Sequence, residues 1–169
     1  MSDDVLTGAS LILAIKQAGI RFVASVPDRT TSEHVLKPLL ADTGMRVVPV
    51  CKEDEGVSIC AGLYAAGQRA LLLMQYTGLL DSINALRGVA MECRNPVCMM
   101  VGLLNKEPGV RPSASKRYSV RIVEPVLDAM GIAHHWIERP GDAGKIAPAI
   151  ERAYERLEPV VLLVGREPL

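Results

Sequence analysis

The stretch VVPVCKEDEGVSICAGLYAAG, residues 47 to 67, contains the change from strand to helix that decides the fold. Its first residues are mostly β-branched and apolar, which is typical of a buried strand. Three acids, Glu53, Asp54 and Glu55, then interrupt the apolar sequence. The residues after them are small or apolar, and their spacing predicts a helix from about Glu53 to Ala66. A strand that leads directly into a helix is the basic unit of an α/β protein.

The same alternation of strand and helix continues in both directions along the chain. Short apolar runs predict strands at residues 21–26, 46–50, 70–75, 96–102, 133–138 and 159–165. A helical pattern separates each of these runs from the next, which favours parallel pairing through crossover connections. The sequence therefore predicts one α/β domain over residues 1–169. Its sheet should have six mostly parallel strands with helices on both faces.

The helix predicted after the first strand has recognisable local signals. Thr30 and Glu33 have the spacing of a capping box, so this helix should begin there and continue to about Thr43. Pro38 lies inside the segment and should kink or shorten the helix, because proline lacks the backbone N–H of a helical hydrogen bond.

Composition excludes several classes of function. The formal net charge of the 169 residues is zero, so nothing favours binding to nucleic acid or to an anionic membrane. No apolar run reaches the length of a membrane span, and the acidic N-terminus MSDDVLTG lacks a signal-peptide pattern. We therefore expect a cytoplasmic protein. In that compartment the cysteines are most simply small core residues, and none has metal-ligand spacing; they are Cys51, Cys60, Cys93 and Cys98.

The usual nucleotide and hydrolase motifs are absent. No G-x-G-x-x-G follows a predicted strand, and neither G-x-x-x-x-G-K-[ST] nor G-x-S-x-G occurs. The function must then depend on other residues at the carboxyl ends of the strands, where open parallel sheets bind their ligands.

The three acids of the quoted stretch have two explanations. Acids in a first helical turn stabilise the helix through its dipole, and this explanation suits Asp54 and Glu55. Glu53 shares its helical face with Val57 and Cys60, so its carboxyl lies over an apolar stripe at a strand end. A carboxyl in that position can exchange a proton with a ligand nitrogen, as general acid–base catalysis requires.

Glycines in the same helix also have two explanations. Gly56 and Gly62 weaken a helix, so both suggest that something approaches the backbone closely. Tight packing inside the chain and contact with a partner subunit remain equally open.

Residues 48 to 86 resemble the pyrimidine-binding (PYR) domain of thiamine diphosphate enzymes, and most closely the alpha subunits of sulfopyruvate and phosphonopyruvate decarboxylases. The family has a strand, a charged cluster and a helix in which a glycine follows the key glutamate by nine positions. Gly62 matches that glycine, so Glu53 matches the glutamate. In addition, LMQYTGLLDSINAL resembles the family pattern LMQ-x-[ST]-G-L-x-x-S-x-N, and FVASVPD resembles the segment that precedes its first active-site turn.

The resemblance implies a cofactor, a mechanism and a partner. Glu53 would hydrogen-bond N1′ of the aminopyrimidine of thiamine diphosphate, and the cofactor would act as an electron sink while a 2-oxo acid loses carbon dioxide. Family members hold Mg²⁺ and diphosphate through G-D-G and a later Asn, whereas the G-D of this chain, Gly141-Asp142, is an ordinary helix cap. The resemblance therefore implies a beta (PP-domain) subunit that carries the motif and the Mg²⁺, in an α/β hetero-oligomer.

Further residues are expected near this site. Besides Glu53, the predicted cofactor contacts are Pro27, Gln75, Tyr76 and Thr77. For Gln75, Tyr76 and Thr77, ordinary loop packing remains an equal alternative. Asp28, which follows the family-like Val-Pro pair, is a predicted substrate contact. His134 and His135 occupy adjacent strand positions, so they face opposite ways and are interpreted as structural.

The long segment from Leu104 to Ser119 contains four cations and one acid, Glu107; the cations are Lys106, Arg111, Lys116 and Arg117. Solvated loop charge is the ordinary explanation. The alternative is that Arg111 binds the second anionic group of a short 2-oxo acid, such as sulfopyruvate or phosphonopyruvate. A non-catalytic α/β binding or regulatory module remains the alternative function, and the register of Glu53 with Gly62 favours the enzyme.

Overall fold

The structure, a computed structural model, describes residues 5–169 and consists of a six-stranded sheet between two layers of helices. Residues 1–4 of the N-terminal stretch MSDDVLTG lie outside the described residues. The strands are β1 (Phe22–Ser25), β2 (Arg46–Pro49), β3 (Ala70–Gln75), β4 (Cys98–Gly102), β5 (Ala133–Ile137) and β6 (Val160–Val164). They pair in the order β2-β1-β3-β4-β6-β5, and every pair is parallel. The predicted fold class is confirmed.

The connections between the strands are mostly helical. The α-helices are α1 (Gly8–Gln17), α2 (Lys37–Ala41), α3 (Glu53–Ala65), α4 (Tyr76–Asp81), α5 (Ile83–Ala85), α6 (Tyr118–Arg121), α7 (Val123–Met130) and α8 (Ile146–Arg156). Within residues 5–169, two segments are π-helical, Ser32–Leu36 and Leu86–Glu92, and two are 3₁₀-helical, Pro112–Ala114 and Pro140–Lys145. In the described part of the chain, no helix has the length and hydropathy of a membrane span.

Each face of the sheet has its own hydrophobic core. Side chains alternate along β3, so Leu71 and Leu73 pack with α1, α2 and α8, while Leu72 and Met74 pack with α3 and α7. Both sets are almost completely buried, which explains why this strand is a continuous apolar run. The carboxyl ends of all six strands meet at one edge, as parallel pairing requires.

The predicted capping box at Thr30 and Glu33 is wrong. The carboxylate of Asp28 accepts the backbone N–H groups of both Thr30 and Thr31, so it occupies the capping role. Glu33 points outward and forms an ion pair with Lys37. The carboxylate of Asp28 reaches the amides two and three residues later by closing a short hydrogen-bonded ring. It therefore competes well with other side chains for these amides.

Pro38 divides the helix that follows β1, as predicted. The segment is π-helical up to Leu36, continues as α2 and ends at Ala41 rather than near Thr43. Because Pro38 has no N–H, the carbonyl of His34 lacks its usual helical donor. That carbonyl approaches Gly8 so closely that a Cβ on the glycine would lie 1.8 Å from its oxygen.

The cysteine prediction holds for two of the four residues. Cys60 and Cys98 are buried, and all four cysteines are free thiols. Burial raises the pKa of Cys60 to about 12 and raises that of Cys98 as well, so neither is a thiolate at neutral pH. The prediction is wrong for Cys51 and Cys93, which are exposed because each follows the end of a secondary-structure element.

Candidate active site

Glu53 is the first residue of α3 and follows the end of β2. Its side chain is half-buried, and its carboxylate makes no hydrogen bond or ion pair with any residue between 5 and 169. A half-buried carboxylate without a partner is costly, since carboxylates are normally hydrogen-bonded when they leave water. The site therefore holds an acceptor that a ligand donor can satisfy.

Gly78 forms the surface on which Glu53 lies. This glycine is in α4, directly after β3, and a Cβ at its position would lie 2.1 Å from Oε1 and 2.2 Å from Cδ and Cγ of Glu53. Any side chain at this position would occupy the space of the glutamate. The contact joins the ends of two strands that are separated by β1, so no local pattern in the sequence predicts it. A glycine inside a helix was the available signal.

The two other acids of the turn have structural roles, as predicted. Oε2 of Glu55 accepts the backbone N–H groups of Cys51 at 3.0 Å and Lys52 at 3.3 Å, which caps the start of α3. Asp54 accepts the N–H of Glu55 and lies 3.6 Å from the ammonium of Lys52. Of the three acids, only Glu53 is left without a partner in residues 5–169.

The two glycines of α3 have different surroundings. A Cβ on Gly56 would lie 2.4 Å from Cδ1 of Leu72, so this glycine allows α3 to pack on β3. Around Gly62, no atom of the described residues lies within 4 Å of the Cβ position. Gly62 is therefore not explained by packing within the chain.

The segment after β3 has one buried and two accessible side chains. Tyr76 is buried, and its hydroxyl lies 3.1 Å from Oγ of Ser119, which connects this turn to the segment after β4. Nε2 of Gln75 donates to Oγ1 of Thr77 at 3.0 Å, and Thr77 is exposed. Gln75 and Thr77 thus remain available to a ligand at the strand ends, whereas the hydroxyl of Tyr76 is engaged within the protein.

Pro27 and Asp28 follow β1, which lies between the strands of Glu53 and Gly78. Pro27 is exposed. Asp28 is buried and accepts three internal hydrogen bonds, from the amides of Thr30 and Thr31 and from Oγ1 of Thr31. Burial raises the pKa of Asp28, although the bonds from Thr31 and Thr30 oppose the change. The structure gives Asp28 a role in shaping this turn.

The segment between β4 and α6 is held firmly, and Lys106 is its main anchor. The side chain of Lys106 is 0% exposed, so its interpretation as solvated loop charge is wrong. Its ammonium lies 2.6 Å from Oε2 of Glu138 and donates to the carbonyls of Glu107 and Val110. Glu138 also accepts the N–H of Gly109 at 2.6 Å. The charged ammonium of Lys106 can be buried because the Glu138 carboxylate and two carbonyl oxygens accept all three of its N–H donors.

We expect Lys106→Met to destabilise the protein by about 3 to 5 kcal/mol, because it leaves the carboxylate of Glu138 buried without its ion pair. Urea unfolding measures this loss as a lower midpoint. Lys116→Met is the matched control, since Lys116 is exposed in the same segment and should change stability by less than about 0.5 kcal/mol. Equal midpoints for the two variants would contradict a structural role for the Lys106–Glu138 pair.

Arg111 lies at the start of the Pro112–Ala114 turn and faces α7. Its side chain is 71% exposed, and Nη2 lies 3.6 Å from Oε1 of Glu124. Glu124 also accepts the N–H of Ser113 at 2.8 Å. The positive charge of Arg111 is therefore partly compensated by an acid of the same chain.

The two histidines face opposite ways, as predicted. Nε2 of His134 lies 3.9 Å from carboxylates of both Glu124 and Asp128 on α7. The pKa of His135 is lowered by burial and by the neighbouring charges of His134, Lys145 and Arg152. The two rings therefore have different charged neighbours.

Comparison with known proteins extends the similarity to most of the chain. The sulfopyruvate decarboxylase subunit alpha of Methanocaldococcus jannaschii is 30% identical over 155 residues, which are 89% of this chain and 88% of that protein. The same subunit of Methanococcus maripaludis is 29% identical over 157 residues, or 89% of each chain. No protein-family model matches the sequence.

The fold is also found in a solved structure. A 2-oxoglutarate:ferredoxin oxidoreductase from Magnetococcus marinus superposes on 95% of this chain with a TM-score of 0.72 and 17% sequence identity. This chain corresponds to 29% of the length of that protein, so the likeness concerns the fold alone.

The fold and the relatives define the class: an α/β protein with a six-stranded parallel sheet whose curated relatives are decarboxylase subunits. Within that class, the chain belongs to the family of sulfopyruvate decarboxylase alpha subunits.

Proposed function

We propose that this chain is the pyrimidine-binding subunit of a thiamine diphosphate-dependent 2-oxo acid decarboxylase, with Glu53 as its acid–base residue. The observation that supports this most directly is the carboxylate of Glu53, half-buried and without a partner in the described residues, on the bare backbone of Gly78. The proposed pyrimidine-binding domain comprises residues 1–169.

The residues at this edge of the sheet suit the cofactor's pyrimidine ring. Thiamine diphosphate, when bound, supplies the electron sink that allows a 2-oxo acid to lose carbon dioxide. Glu53 would hold a proton at its carboxylate oxygen and share it with a ring nitrogen. Gln75 and Thr77 offer further polar atoms and Pro27 offers apolar surface, while the buried Tyr76 supports the turn that carries them. The small size of Gly78 keeps the carboxylate beside the strand ends.

The rest of the cofactor site would come from a partner. Residues 5–169 contain no group of three or more His, Cys, Asp or Glu side chains that could hold a metal ion. We propose that a beta (PP-domain) subunit with the G-D-G and Asn motif binds Mg²⁺ and the diphosphate. The relatives are named as alpha subunits, which supports a hetero-oligomer.

The isolated chain should bind thiamine diphosphate weakly and have no turnover, because charge contacts to diphosphate and Mg²⁺ would be missing. Calorimetric titration with the cofactor and Mg²⁺, followed by an assay with and without the beta subunit, measures both properties. Micromolar binding together with turnover by the chain alone would refute the need for a partner.

The proposed substrate is a short 2-oxo acid with a second anionic group. The relatives are named for sulfopyruvate, which has a sulfonate on its third carbon. The reconstituted complex can be tested with sulfopyruvate, phosphonopyruvate, pyruvate and benzoylformate. We expect the two anionic substrates to have the highest kcat/KM, and a preference for benzoylformate would exclude an anionic pocket.

A further inference from the structure

A small cleft opens at the carboxyl edge of the sheet, between the segments that follow β1, β4 and β6. Its volume is about 200 Å³, which is below the usual range for drug-sized ligands and suits a small group. Its walls include Arg29 and Thr30 from the first segment, Leu103 and Asn105 from the second, and Arg166 from the third. Three segments distant in sequence thus supply a single concave surface with two guanidinium groups.

The residues on both sides of Arg29 are buried and hydrogen-bonded. Asp28 accepts the amides of the two threonines that follow Arg29, and Thr30 is itself buried. Thr30 also packs against Gly102 at the end of β4, where a Cβ would lie 2.7 Å from that of the threonine. Because its neighbours point inward, Arg29 is exposed at a defined position on the rim of the cleft.

Arg166 is held in a similar way. Gly165 precedes it and donates its N–H to the carbonyl of Ile137 at 2.9 Å. A Cβ on Gly165 would lie 2.4 Å from Oε2 of Glu138 and 2.7 Å from Cε of Lys106, so the strand end is tightly packed. Both arginines therefore extend from backbone that is already ordered, which lowers the entropy cost of binding.

The charges of the cleft favour an anion. Within residues 5–169, neither Arg29 nor Arg166 forms a salt bridge or a side-chain hydrogen bond. Lys106 also lines the cleft, but Glu138 neutralises it. One further acid, Glu167, lines the cleft, and its charge contributes to the raised pKa of Asp28. The free charges on the cleft are thus two guanidinium groups and one carboxylate.

We infer that Arg29 and Arg166, rather than Arg111, bind the second anionic group of the substrate, an inference that rests on the proposed function. The segment that carries Arg29 follows β1, the strand between those that lead to Glu53 and Gly78. Adjacent strands lie about 4.8 Å apart, so the segment that carries Arg29 leaves the same edge of the sheet as the segments of Glu53 and Gly78, on the strand between theirs. Two guanidinium groups match a tetrahedral sulfonate or phosphonate through paired charge-assisted hydrogen bonds.

The test compares the ratio of kcat/KM for sulfopyruvate to kcat/KM for pyruvate in the reconstituted complex. Arg29→Ala and Arg166→Ala should each lower this ratio by about 10- to 100-fold. Glu167→Gln should raise it about two- to fivefold, because a repulsive charge is removed. Arg46→Ala, an exposed arginine at the amino end of β2, is the control and should leave the ratio unchanged. Unchanged ratios in both cleft variants, or a larger loss in Arg111→Ala, would overturn the inference.

A second measurement separates this inference from the proposed function. The amide NMR spectrum of the full chain is titrated with sulfoacetate and, as a control, with acetate. Saturable shifts at Arg29, Asn105 and Arg166 with sulfoacetate alone should occur and should be lost in the double arginine variant. If they occur while the complex decarboxylates no 2-oxo acid, the proposed function fails and the anion cleft stands. Shifts that do not saturate would reveal nonspecific association and would refute the cleft.

Discussion

Glu53→Gln should reduce turnover of the reconstituted complex by about 10²- to 10⁴-fold, the usual contribution of a general acid–base group. Glutamine preserves the size of the side chain and its contact with Gly78, but it cannot exchange a proton. The folded structure should be retained, because the carboxylate of Glu53 bonds to no residue between 5 and 169. Steady-state kinetics and thermal unfolding of the same preparations measure the two effects separately.

Glu55→Gln is the matched control for this variant. Glu55 lies two residues later in the same helical turn, but its carboxylate caps the amides of Cys51 and Lys52. Its replacement should slightly lower stability and leave turnover nearly unchanged, and Asp54→Asn should behave similarly. A dead Glu55→Gln enzyme beside an active Glu53→Gln enzyme would show that the family register has been assigned to the wrong acid.

Gly78→Ala should nearly abolish activity without destabilising the fold. The new methyl group would overlap the carboxylate and Cγ of Glu53, and this half-buried, flexible side chain can rotate away from it. Within a helix, alanine is more favourable than glycine by about 1 kcal/mol, so the melting temperature should stay the same or rise. Displacement of the acid–base group should lower kcat by about 10²-fold or more, as a misplaced catalytic group does.

The control for Gly78→Ala is Gly141→Ala. Gly141 lies in the 3₁₀ turn before α8, and no atom of the described residues lies within 4 Å of its Cβ position. This substitution should leave both kinetics and stability nearly unchanged. If Gly78→Ala retained full turnover, Gly78 would not position the glutamate, and the geometry proposed for the site would be incorrect.

Much of the fold was predictable because its signals are local. The apolar run of β3 predicted a strand from Ala70 to Gln75, and the structure has those bounds. The small and apolar residues after Glu53 predicted α3 almost to its last residue. Parallel pairing followed from the alternation of strand and helix, since a parallel pair needs a crossover connection. The capping-box prediction is wrong because Asp28, an equally local acceptor, accepts the amides of Thr30 and Thr31.

The sequence by itself determined the fold class, the family and the acid to examine, because periodicity and motif register are properties of neighbouring residues. Only the tertiary structure decided which charges are buried and what faces them. Lys106 looks like loop charge in the sequence, yet it is fully buried against Glu138, 32 positions later. Gly78 and Glu53 meet because β2 and β3 flank β1, and the arginines of the cleft converge because β1, β4 and β6 end at one edge. Such contacts depend on strand order, which is set by long-range packing, and no local pattern contains it.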